Sequence, residues 1–175
     1  MKIRLEEASN EPVTWETAVD IPAASLGRSE LLSLEPVIWR GRVFAVEGGF
    51  LLRARLETSQ GLQCDRCLTT FDHELISDIE LMVVAQDEEP DLEVELRADD
   101  LGLLYVEGEF LDTQPLMLEH LQLGVPMKPI CRSECQGLCA GCGADLNDGS
   151  CSCEGSSPDP RWAALGELKG RLPEG

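Results

Sequence analysis

Eight cysteines are the residues of this chain best equipped for chemistry, and they fall into four close pairs: Cys64/Cys67, Cys131/Cys135, Cys139/Cys142 and Cys151/Cys153. Six of them crowd into one run, CRSECQGLCAGCGADLNDGSCSC, from Cys131 to Cys153. Tetrahedral zinc takes four thiolates from two tight turns whose backbone N–H groups also point at the sulfurs. Four pairs therefore predict one or two zinc ions as the cofactor. CAGCG, Cys139 to Gly143, has the two-residue gap and trailing glycine that let a chain wrap a metal, and Cys151 and Cys153 follow it after the turn-rich GADLNDGS. These four are assigned to one compact site. Cys64, Cys67, Cys131 and Cys135 would form the other, closing a long loop as a cross-link does. Spacing leaves a second partition open, in which the local Cys131, Cys135, Cys139 and Cys142 group together and Cys64/Cys67 joins Cys151/Cys153.

The expected role of the metal is structural. Catalytic zinc keeps an open position, commonly with His or carboxylate ligands beside a general base. The chain's histidines, His73 and His120, stand apart with no HExxH spacing. A thioredoxin-like CxxC would open a helix in a βαβ unit, whereas CDRC, Cys64 to Cys67, lies between strand-like segments. A thiol- and zinc-based redox-responsive regulator is kept as the alternative. The sequence has no GxxxxGK followed by Ser or Thr, no GxGxxG and no GxSxG, so neither an enzyme nor a small-molecule substrate is expected.

A sheet must position these pairs. From Val37 the apolar pattern has period two. VIWRGRVFAV and LLRARLET flank EGGF, and a Gly48-Gly49 loop predicts a hairpin in which Val43 faces Ala54 and Arg42 faces Arg55. Trp39, Val43, Ala45, Leu52, Ala54 and Leu56 then share one face, and Arg40, Arg42, Phe44, Arg53 and Arg55 the other. FDHELISDIELMVV predicts a third strand with Phe71, His73, Leu75, Ile79, Leu81 and Val83 near one side; LEVEL and LLYVEGEF predict one or two shorter strands. DTQPLMLEHLQLGVP predicts a helix with Asp112 as N-cap, apolar Leu116, Met117, Leu121 and Leu123, Gly124 as C-cap and Pro126 as a stop. SPDPRWAALGELKG predicts another, capped by Asp159, with Trp162, Leu165 and Leu168 as its docking stripe.

The expected fold class is α+β: an antiparallel sheet or partly open barrel with two short helices and a C-terminal cysteine-rich zinc module. Residues 1–36 read as an irregular N-terminal segment with a short helix around Ala23 to Leu34. Residues 37–130 read as the sheet domain with its following helix, 131–155 as the zinc-binding cluster, and 156–175 as a C-terminal helix packed on the domain.

The chain has a net charge of −19, concentrated in residues 64–130, where seventeen acids face three bases. Within that span DEEPDLEVELRADD, Asp87 to Asp100, sets eight acids against Arg97. Such a field repels nucleic acid and attracts basic proteins, so RNA contact needs a local patch that overrides it. The arginine face offers one: Arg40, Arg42, Arg53 and Arg55 for phosphates and Phe44 for stacking. Ion pairing of those arginines with the acids of residues 87–100 is the competing expectation. MKIRLEEASNEPV lacks the features of a secretory signal and the longest apolar run, LMVVA, is too short to span a bilayer. A cytoplasmic protein with no membrane partner is expected.

CDRCLTTF, GVPMKPIC, CQGLCAGCGADLN, CSC and DPRWAALGEL, in this order and spacing over roughly residues 37 to 170, resemble the YceD family, the large ribosomal RNA subunit accumulation proteins of bacteria and chloroplasts. The resemblance implies a non-enzymatic role in ribosome biogenesis, supporting 23S rRNA accumulation or processing, with large-subunit rRNA or a pre-50S particle as partner. An acidic escort for a basic ribosomal protein, without direct RNA contact, is the other form that role could take. Gln136 stands where many relatives carry Lys, and Ala140 where many carry Pro. Both departures leave the ligands untouched, and Gln136 takes away one positive charge beside the cluster.

Overall fold

The computed structural model describes residues 1–86, 102–153 and 161. In chain order its elements are β1 (Lys2–Arg4), α1 (Leu5–Asn10), β2 (Val13–Val19), a 3-10 turn (Ala23–Leu26), β3 (Leu31–Leu34), β4 (Val37–Val46), β5 (Gly49–Gln63), β6 (Thr70–Gln86), β7 (Leu103–Glu107), β8 (Phe110–Asp112) and α2 (Gln114–Leu123). Among the described residues the fold is mostly β with two helices: an open mixed sheet in the order β2-β4-β5-β6-β7, with β3 paired to the far end of β5 and a small β1-β8 pair beside it.

Alternation decides which face of the sheet is buried. Val37, Trp39 and Val43 on β4, Leu52, Ala54, Leu56 and Leu62 on β5, and Leu75, Ile79 and Val83 on β6 are all buried. Met117, Leu121 and Val125 from α2 and its exit pack on one half of this face. Leu5 and Ala8 of α1, with Ile3, Leu111 and Leu116, pack on the other half. At 25 cal/mol per Å² each buried Leu or Val contributes roughly 1.5–3 kcal/mol. The indole N–H of Trp39 donates to the buried Thr113 hydroxyl at 3.3 Å, so this large side chain enters the core with its polar atom satisfied.

Several expectations need correction. Residues 1–36 hold two strands of the main sheet, α1 and β1 rather than irregular chain. Pro12, Pro22 and Pro36 flank those strands instead of interrupting them, which is where a residue without an N–H fits a sheet. The expected helix around Ala23 to Leu34 shrinks to one 3-10 turn, closed by Gly27 at φ 65°, before β3 begins. The sheet is not wholly antiparallel, because β7 runs parallel to β6; the intervening residues 87–102 are long enough for the crossover that parallel pairing needs. LLYVEGEF forms β7 and β8. The expected LEVEL strand lies outside the described residues, as does, Arg161 apart, the expected helix over 156–175.

The β4–β5 hairpin turns at Glu47-Gly48, one residue earlier than expected, so that Val43 pairs with Leu52, Arg42 with Arg53 and Arg40 with Arg55. Moving a turn by one residue shifts each partner by two, and a shift of two keeps every side chain on its own face. Gly49 belongs to the ladder: a Cβ there would lie 2.4 Å from the Val83 carbonyl oxygen. Ala45, expected inside, is exposed at the hairpin end. On α2, Asp112 accepts from the Gln114 N–H at 3.1 Å, as its capping role predicted, although the helix boundary falls at Thr113. That bond holds the Asp112 carboxyl below its ordinary range. Gly124 has an ordinary helical φ of −73°, and its size serves packing instead, since a Cβ would lie 2.5 Å from the Leu75 methyls. Leu123 points to solvent.

Gly41 on β4 is tightly constrained, because a Cβ there would meet the Trp15 ring at 2.4 Å and the Arg53 carbonyl at 2.8 Å. Gly41→Ala is expected to lower stability by about 1–3 kcal/mol in urea unfolding. Gly102→Ala, with nothing within 4 Å, should stay within about 0.5 kcal/mol of the parent.

Candidate metal centre

The eight thiols gather into two groups of four. Cys64, Cys67, Cys131 and Cys135 form one, and Cys139, Cys142, Cys151 and Cys153 the other, with the sulfurs of each group within 4.8 Å of one another. Of the two partitions left open by spacing, the first is therefore assembled. Cys64 and Cys67 lie in the turn between β5 and β6. Cys131 and Cys135 arrive from the exit of α2, anchored where the Asp65 N–H donates to the Pro129 carbonyl at 2.9 Å. Cys64, Cys67 and Cys135 are buried, whereas Cys142 and Cys153 are exposed. We call the groups inner and outer.

One backbone design serves both. In the inner turn the Leu68 N–H donates to the Cys64 carbonyl and the Cys64 N–H to the Thr69 carbonyl, each at 2.9 Å. In the outer turn the Gly143 N–H donates to the Cys139 carbonyl at 2.9 Å and the Cys139 N–H to the Ala144 carbonyl at 2.8 Å. The residue two after the first cysteine sends its N–H to that sulfur, Arg66 to Cys64 and Gly141 to Cys139, both at 3.4 Å. CDRC and CAGC are thus the same knuckle. The residue closing each knuckle is left-handed, Gly143 at φ 75° and Leu68 at φ 62°.

These distances suit a metal. Zinc–sulfur bonds of about 2.3 Å set tetrahedral edges of about 3.8 Å. Cys64 and Cys135 have sulfurs 3.8 Å apart and Cys67 and Cys131 3.7 Å apart; the outer Cys139 and Cys151 are closer, at 3.3 Å. All eight cysteines are free thiols. The charge balance points the same way. Burial pushes the Cys64 thiol up, but N–H groups of Cys131, Cys67 and Arg66 outweigh it and bring the thiol down to about 6. N–H groups of Cys142 and Gly141 bring Cys139 down to about 6. Their neighbours move the other way: burial and hydrogen bonding to Cys67 push Cys131 up to about 12, and bonding to Cys142 and Cys139 pushes Cys153 up to about 11. Thiolates this close repel, and only a cation among them lets all four ionise. Neither histidine joins a group; His120 Nδ1 lies 3.0 Å from the Ser77 hydroxyl.

The arginine face lies on the other side of the sheet from the core. Arg40 pairs with Glu57, Arg53 with Glu80 at 2.6 Å, and Arg55 with Glu57 at 2.7 Å and Asp78 at 3.1 Å. The hydrogen bond from Arg55 holds the Glu57 carboxyl below its ordinary range. Arg42 differs. Its guanidinium sits over the Phe44 ring at 5.4 Å, and among the described residues it has no carboxylate partner. An open groove of about 420 Å³ runs past these four arginines, Thr14 and Asp78. The carboxylates that neutralise the face come from β5 and β6; those of residues 87–100, expected as partners, lie outside the described residues.

Sequence reasoning did not single out Asn147, Arg66 or Leu68. Asn147 Nδ2 donates to the Cys135 sulfur at 3.5 Å, and Arg66 Nη1 donates to the Cys135 carbonyl at 2.8 Å. Overlaying CDRCL on CAGCG would have exposed Leu68 as a side chain in a glycine position. Nothing in the sequence marks Asn147 beyond its turn-forming type.

The described residues thus define a β-sheet scaffold carrying two four-cysteine groups, each of which could hold a metal ion. The model of the family described as large ribosomal RNA subunit accumulation protein YceD matches residues 52–169, and the chain belongs to that family. An uncharacterized protein of Mycobacterium tuberculosis is 29% identical over 136 residues, covering 74% of this chain and 60% of that protein. One of Mycobacterium leprae is 25% identical over 156 residues, covering 85% and 67%. The chain thus spans about 60% of the length of the first mycobacterial relatives it matches. A large ribosomal RNA subunit accumulation protein YCED homolog of Arabidopsis thaliana chloroplasts is 31% identical over 62 residues, 35% of this chain and 19% of that protein. No solved structure matches. Among the described residues no helix is long and apolar enough to cross a membrane.

The two knuckles predict opposite responses to an exchange of their closing residues. A left-handed non-glycine residue costs roughly 1–2 kcal/mol. Gly143→Ala, with open space around the new Cβ, should lose about 1 kcal/mol in denaturant unfolding, while Leu68→Gly should melt no lower than the parent.

Proposed function

We propose that this chain is a non-enzymatic ribosome biogenesis factor that supports 23S rRNA accumulation or processing and large-subunit assembly in the cytoplasm, with structural zinc at both cysteine groups. The observation that carries this is the family match over residues 52–169, which includes every one of the eight cysteines. Cys64, Cys67, Cys131 and Cys135 would hold one ion and Cys139, Cys142, Cys151 and Cys153 the other. Zinc supplies rigidity there and no chemistry of its own.

The partner in this reading is large-subunit rRNA or a pre-50S particle, met on the face of the sheet that carries the arginines. Arg40, Arg53 and Arg55 are tied to Glu57, Asp78 and Glu80, so the contact centres on Arg42 and the half-buried Phe44 beneath it. One guanidinium for phosphate and one ring for a base is the minimal single-strand platform. A second reading rests on the net charge of −19: the acidic middle of the chain would hold a basic ribosomal protein by electrostatic steering.

Sedimentation through a gradient tests the role, the expected result being co-migration with large-subunit precursors; protein that stays free under all growth conditions would sink it. Phe44→Ala and Arg42→Glu should each weaken binding to a single-stranded large-subunit rRNA fragment about tenfold or more, read by anisotropy at fixed salt. Binding to particles that survives both changes but weakens when the acids of positions 91–95 are neutralised would favour the escort.

A further inference from the structure

The inner and outer groups are joined by more than chain connectivity. Only Gln136, Gly137 and Leu138 separate Cys135, the last inner ligand, from Cys139, the first outer one. This linker is pressed onto the inner knuckle: the Leu138 N–H donates to the Arg66 carbonyl at 3.0 Å, and a Cβ on Gly137 would lie 2.9 Å from that same oxygen. On its other side lies the loop between Cys142 and Cys151. Its Leu146 N–H donates to the Gly137 carbonyl at 2.9 Å, and Asp145 bridges to Leu138.

Asn147 sits at the centre of this contact. Its Oδ1 accepts from the Gln136 N–H at 2.9 Å, and its Nδ2 donates to the Asp145 carboxylate at 2.6 Å and to the Cys135 sulfur at 3.5 Å. The orientation of the amide is fixed by these partners, since turning it over would set its oxygen against a thiolate and a carboxylate. An outer-group loop therefore delivers a hydrogen bond to an inner-group ligand.

We propose that Asn147 is a positioning residue through which the two metal sites are coupled, filling of the outer site raising the affinity of the inner one. The inference rests on the zinc reading above. Metal on Cys142 and Cys151 fixes both ends of the loop that carries Asn147, so the N–H donor to Cys135 is in place before the inner site binds. With the outer site empty, the inner site must order that loop at its own expense. Coupling is reciprocal, and loss of a hydrogen bond to a ligand typically weakens metal affinity 10–100-fold. Exposure of Cys142 and Cys153 against burial of Cys64, Cys67 and Cys135 gives the pair a direction: metal exchanges first at the outer site, and the inner site loosens after it.

Cobalt(II) titration of the full chain against a competing chelator, followed by thiolate-to-metal charge-transfer absorption, measures the inner site alone once Cys142→Ala and Cys153→Ala disable the outer one. Inner affinity is expected to fall about tenfold or more on disabling the outer site, to fall similarly in Asn147→Ala, and to fall little further when the changes are combined. Asn147→Asp in the otherwise intact chain, which places a negative charge by Cys135, should speed zinc release from the inner site and guards against a disabled chain that fails to fold. Equal inner affinity with the outer site intact or disabled, or losses that simply multiply in the combined variant, would overturn the coupling while leaving two zinc sites standing. A parent chain that takes up no metal would instead remove the zinc reading itself.

Discussion

Four sulfurs held within 4.8 Å of one another can all be thiolates only around a cation, and this constraint applies at both cysteine groups. The inner group joins the turn between β5 and β6 to the exit of α2. Cys67 and Cys131 are 64 residues apart in sequence, and a cross-link closing a loop of that length is worth about 4 kcal/mol by chain entropy alone. That is a large share of the 5–15 kcal/mol that holds a typical domain together. Met117 and Leu121 hold α2 on the sheet, and a metal at the inner group would tie the chain leaving that helix to the β5–β6 turn.

One face of the sheet lies under α1, α2 and the β1-β8 pair, and among the described residues the other carries the arginines. Cross-strand order makes it a mosaic. Arg42 and Arg53 stand side by side, as do Arg40 and Arg55, with Glu80 and Asp78 next on β6. Like charges directly opposite destabilise a sheet, and the carboxylates of β5 and β6 relieve that repulsion for three of the four. Among the described residues Arg42 is the one of the four left without a carboxylate, since its partner on β2 is Thr14 and not an acid.

The faces of the long strands were legible in the sequence, since Trp39, Val43, Leu52 and Leu56 alternate with arginines and only one parity buries the apolar set. The position of the turn was less so: Gly48 and Gly49 both suit a loop, and the choice was made by Gly49 lying against the Val83 carbonyl, a contact with a strand more than thirty residues away. The strands before Val37 were hidden because β2 is an edge strand with most of its residues exposed and no long apolar run. The parallel pairing of β7 was hidden for a different reason, as no local pattern encodes strand direction. At the metal centre, knuckle spacing marked the eight cysteines, but spacing is blind to which pairs meet, and to Asn147 reaching Cys135 from a loop twelve residues on.

The central claim is that thiolate-bound metal holds the sheet and the cysteine-rich region together, and X-ray absorption at the zinc edge on protein purified without added metal or chelator tests it most directly. Two zinc ions per chain, each ringed by four sulfurs at about 2.3 Å, is the predicted spectrum. A folded chain that carries no metal, or zinc surrounded by nitrogen and oxygen, would contradict it.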